Sequence, residues 1–61
     1  MNENELKKKL KELKTCVSYM KKSSQIFYEI YGINYKSDHL DIEVEEVENW
    51  IYEIENENFS K

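Results

Sequence analysis

Sixty-one residues, with thirteen acids against nine lysines and a net charge of −4, make one small domain whose core barely offsets chain entropy. One cysteine, Cys16, excludes an internal disulfide, and with a single histidine, His39, no zinc site can be assembled from Cys and His. Arginine is missing altogether, and an acidic chain without it is poorly suited to a polyanion, so direct nucleic-acid binding is not expected.

The opening residues Met1 to Glu5 are polar and acidic, and no apolar run is long enough for a signal-peptide core or a membrane span. A cytoplasmic protein with no membrane partner is the expectation. The bias toward Asn, Lys, Glu, Ile and Tyr, with no Ala or Pro, suggests an AT-rich source such as a low-GC bacterium or one of its phages.

Asn2, followed three residues later by Glu5, reads as a capping box that starts a helix at Glu3. Glu3 with Lys7 and Glu5 with Lys9 have the spacing of stabilising pairs. Leu6, Leu10, Leu13, Val17, Met20, Ser24, Phe27 and Tyr31 then alternate at steps of four and three, the seam of one long amphipathic helix. A second line, Cys16, Tyr19, Ser23, Ile26 and Ile30, runs one position before the seam and widens the apolar face beyond what one partner helix covers. On that face Cys16 reads as a small buried hydrophobe, and Ser23 and Ser24 as small residues that let helices approach closely.

Tyr31-Gly32-Ile33 reads as a helix stop, with Gly32 left-handed and Ile33 folded back onto Phe27 or Tyr28. The polar stretch Asn34 to Asp38 is then the connection, and Ser37 or Asp38 caps a second helix over residues 38–56. Leu40, Val44, Val47, Ile51 and Ile54 form its seam. Ile33 and Tyr35, and again Leu40, Ile42 and Val44, also alternate with polar residues, which allows a short β-hairpin instead.

The predicted fold over residues 1–61 is therefore all-α, an antiparallel two-helix hairpin that dimerises into a four-helix bundle. The alternative is two helices flanking a short β-hairpin. Folding about Tyr35 sets Phe27 against Val44, Ser24 against Val47 and Met20 against Ile51, and leaves Leu6 and Leu10 beyond the end of the second helix. Residues 1–36 carry eight Lys against four Glu, and residues 37–61 one Lys against nine acids, a split that favours antiparallel docking.

No catalytic, cofactor or metal site is expected. His39 between Asp38 and Asp41 lacks a nucleophile and an oxyanion donor, and the cluster Lys7-Lys8-Lys9-Leu10-Lys11 is diluted by Glu3, Glu5 and Glu12. The pattern Ser37-x-x-Leu40-Asp41-x-x-Val44 is similar in part to a signature of the small helical-hairpin phosphatases of the sporulation phosphorelay. Asp38 and Glu43 depart from it, and no enzymatic role is carried over.

The expected function is that of a non-enzymatic protein–protein interaction module or small regulator. It would bind itself as a homodimer, and a protein target, through Leu6, Leu10, Leu13, Tyr19, Ile26, Ile30 and Trp50. Trp50, at the seam edge, reads equally as an interface anchor and as a cap on the hairpin core. The alternative is an acidic inhibitor that occludes a basic, nucleic-acid-binding surface through Glu45, Glu48 and Glu55, expected to lie free of cross-helix pairing.

Overall fold

The computed structural model describes residues 1–59 and consists of two α-helices, α1 (Glu3–Tyr31) and α2 (Tyr35–Asn58), packed as an antiparallel hairpin. No strand occurs among the described residues, so the β-hairpin alternative is excluded. At about 1.5 Å per residue, α1 accounts for the 43 Å long axis.

Helix α1 has the expected bounds because both ends are chemically marked. The Asn2 Oδ1 accepts the Glu5 backbone N–H at 2.8 Å, and Asn2 Nδ2 donates to Glu5 Oε1 at 2.9 Å. The Glu5 carboxylate thus accepts from the Asn2 side-chain amide, and Lys9 pairs with Glu12 at 3.6 Å rather than with Glu5. Glu3 and Lys7 do pair, at 3.3 Å.

At the other end Gly32 has φ 72° and ψ −144°, outside the left-handed helical basin but still where only glycine is unstrained. Its N–H donates to the Tyr28 carbonyl at 2.7 Å, closing the last turn. Ile33 does not fold back: it is 88% exposed. A Cβ at Gly32 would meet no atom within 4 Å, so Gly32→Ala should act through backbone strain alone. We expect a loss of about 1–3 kcal/mol in urea unfolding, and an unchanged midpoint would show that the turn relaxes freely.

Helix α2 starts three residues earlier than expected. Asn34, not Ser37 or Asp38, is its N-cap: Asn34 Oδ1 accepts the Ser37 N–H at 2.9 Å. Asn34 prevails because its amide group also serves α1, where Nδ2 donates to the Gly32 carbonyl at 2.7 Å and reaches the Phe27 carbonyl at 3.3 Å. The connection shrinks to Gly32–Asn34, and Ser37 is carried into the first turn, facing α1.

That shift resets the register. Ser24 opposes Ser37, not Val47: Ser37 Oγ donates to the Ser24 carbonyl at 2.9 Å, and Ser24 Oγ lies 2.6 Å from the Asp41 carboxylate and 3.2 Å from the Ser37 carbonyl. Both serines are buried, and no buried side-chain nitrogen or oxygen lacks a partner among the described residues. Their small side chains bring the helices together beside the loop. Further along, Val17 rather than Met20 shares a cleft with Ile51.

The core is one line from each helix, Leu10, Val17 and Ser24 against Ser37, Val44 and Ile51, with members seven residues apart. Leu10 is 4% exposed, which corrects the expectation that Leu6 and Leu10 lack cover within the chain. In the observed register α2 reaches them, and Leu6 and Phe59 both pack against the core. Lys7 Nζ lies 5.5 Å from the centre of the Phe59 ring.

Candidate interaction surface

The two flanks of the buried line differ in chemistry. Residues four positions after its members are Lys14, Lys21 and the exposed Tyr28 on α1 and Asp41, Glu48 and Glu55 on α2. The charged ones reach across the hairpin, with Lys14 Nζ 2.9 Å from Glu55 Oε2 and Lys21 Nζ 3.1 Å from Glu48 Oε2, and with Asp41 accepting from Ser24. One face of the hairpin is therefore bridged by polar contacts.

Residues three positions after the buried line point to the opposite flank. They are Leu13, Met20 and Phe27 on α1 and Leu40, Val47 and Ile54 on α2. None is fully buried; Leu13 is 40% exposed and the other five are partly so. This flank is the open apolar face. Near the loop it holds a shallow concavity lined by Phe27, Tyr35, Lys36, His39 and Leu40. There Lys36 Nζ lies 4.6 and 4.4 Å from the ring centres of Tyr31 and Tyr35.

The second apolar line of α1 borders this face. Cys16, Tyr19, Ile26 and Ile30 are all exposed, which corrects the expectation that Cys16 is buried: the side chain lies beyond what α2 covers. Trp50, 53% exposed, follows Glu43 by seven residues on the α2 border and does not close the core. Of the residues expected to meet a partner, Leu13, Tyr19, Ile26, Ile30 and Trp50 are exposed, whereas Leu10 is buried in the hairpin and Leu6 packs half-buried against its core. Met20, Phe27, Leu40, Val47 and Ile54 are half-buried, and Met20, Val47 and Ile54 pack against the core as seam residues while leaving an edge on this face. Sequence periodicity places them in the seam but does not distinguish its fully covered position from its half-covered one.

The acidic set is also revised. Glu48 and Glu55 are the carboxylates occupied by lysine across the hairpin, and only Glu45 of the three stands apart from such pairing. His39 is exposed, 3.7 Å from Glu43 Oε1, and no group of His, Cys, Asp or Glu among the described residues could hold a metal ion. Ser23 Oγ donates to the Tyr19 carbonyl at 3.0 Å, the ordinary back-bond of a helical serine. No helix among the described residues is long and apolar enough to cross a membrane.

No protein-family model matches the chain, and neither a curated protein nor a solved structure is detectably similar to it.

Proposed function

We propose that the chain is a non-enzymatic protein–protein interaction module, a small regulator that binds a protein target through the open face. The observation that carries this reading is the asymmetry of the hairpin. One flank is bridged by ion pairs, while six large apolar side chains on the other remain partly solvated. A chain of this size gains little from leaving such a stripe wet, and contiguous exposed apolar surface is the usual mark of a docking site.

The acidic-inhibitor reading has less support, because Lys21 and Lys14 neutralise two of its three carboxylates. Capture of binding proteins by the immobilised chain from a lysate of its host separates the two. We expect a partner that persists at raised salt and is lost with Val47→Glu. The triple replacement of Glu45, Glu48 and Glu55 by Gln should retain it, since the exposed pairs contribute only about 0–1 kcal/mol each. Capture that survives Val47→Glu but fails in the triple variant and at raised salt would favour the inhibitor instead.

A further inference from the structure

We infer that the open face is closed by a second copy of this chain, related by a twofold axis parallel to the helices, so that α1 of one protomer lies antiparallel on α2 of the other. This rests on the reading of that face as an interaction surface and names the occupant it has when no target is bound.

Size is the first argument. A compact monomer of 7.5 kDa exposes about 4,200 Å², whereas this chain exposes 5079 Å². The excess, about 800 Å², is what one partner contributes to a stable interface of standard size. The radius of gyration agrees: 14.2 Å against about 10.5 Å for a compact chain of this length. The hairpin is a slab only one helix thick, and stacking two slabs on their apolar faces gives the compact shape that one alone lacks.

Charge selects the arrangement. Helix α1 carries seven lysines and four glutamates, a net +3, and α2 carries one lysine and nine acids, a net −8 with His39 neutral. With their helices aligned, two open faces can meet with twofold symmetry in only two ways. An axis across the helices stacks α1 on α1 and α2 on α2, which sets two strongly acidic helices against each other. An axis along the helices gives every helix two antiparallel neighbours of opposite net charge, as α1 and α2 already are within the chain.

The border residues fit this second arrangement. Counting outwards from Ile33, Lys9, Cys16, Ser23 and Ile30 on α1 are level with positions 57, 50, 43 and 36 on α2. Lys9 then faces the partner's Glu57, Cys16 lies beside the partner's Trp50, and Ile30 packs along the stem of the partner's Lys36. Trp50 is thereby covered.

The test is sedimentation of the full chain over a dilution series, combined with disulfide mapping. We expect twice the 7.5 kDa chain mass, falling to a single chain with Val47→Glu. In Trp50→Cys, mild oxidation should give a covalent dimer whose bridge joins Cys16 to position 50 of the partner. Lys9→Cys with Glu57→Cys, in a Cys16→Ser background, should give the same result at exposed positions where folding is not at risk. A folded helical monomer throughout the series would overturn self-association, yet leave the target-binding reading to stand or fall on its own capture experiment. A dimer in which the parent bridges Cys16 to Cys16, or in which the paired cysteines close only within one chain, would overturn the arrangement.

Discussion

Leu10→Glu should abolish the cooperative unfolding transition, whereas Leu13→Glu, three residues away on the same helix, should leave the hairpin folded. Leu10 is in the buried line with Val17, Val44 and Ile51, and truncating such a leucine already costs about 2–5 kcal/mol. A carboxylate there must be desolvated as well, or the helices must part. The whole stability expected of a chain this size is about 3–9 kcal/mol, so the two terms are comparable with everything the fold has. Leu13 lies on the open face, where a carboxylate reaches water. It should cost the dimer, seen as a halved mass, and little of the helical circular dichroism. Urea titrations of both variants check this, and equal losses would refute the division of the seam into a closed and an open line.

That division also marks how much was legible in the sequence. The bounds of α1 were legible because Asn2, unlike Asn4, has a glutamate three residues on to complete a capping box, and because Gly32 is the only glycine in the sequence. The start of α2 was not, because Asn34, Ser37 and Asp38 are all competent caps, and the choice among them depends on carbonyls that α1 presents. The register followed the cap. An apolar pattern that repeats every seven residues looks nearly the same after the helices slide, and in this chain only the two serines break it. Ser24 and Ser37 are the polar members of otherwise aliphatic lines, one on each side of the loop, and pairing them from the start would have given the observed register. It would also have placed Lys21 beside Glu48 and Lys14 beside Glu55, and so have shown which face is bridged.

Asn34→Ala is expected to cost more than the loss of an ordinary helix cap, because one side chain serves both helices. It removes the cap on Ser37 N–H, worth about 1 kcal/mol. It also withdraws the donor from the Gly32 carbonyl and from Ser37 Oγ, 3.1 Å away, each contributing about 0.5–1.5 kcal/mol where water does not replace it. Because the bond to Gly32 is exposed, the low end of that sum, about 2 kcal/mol, is expected, read from urea unfolding. Asn34→Asp separates the two roles. Aspartate keeps the acceptor and is as good a cap as asparagine, but it sets a negative charge against the Gly32 carbonyl at the negative end of α1. If Asn34 were only a cap, the aspartate variant would match the parent. Because the amide also ties the end of α1 to the start of α2, it should instead lose nearly as much as alanine. The Ser24–Ser37 pair should loosen with it, visible as faster amide exchange in the first turn of α2 while the middle of α1 stays protected.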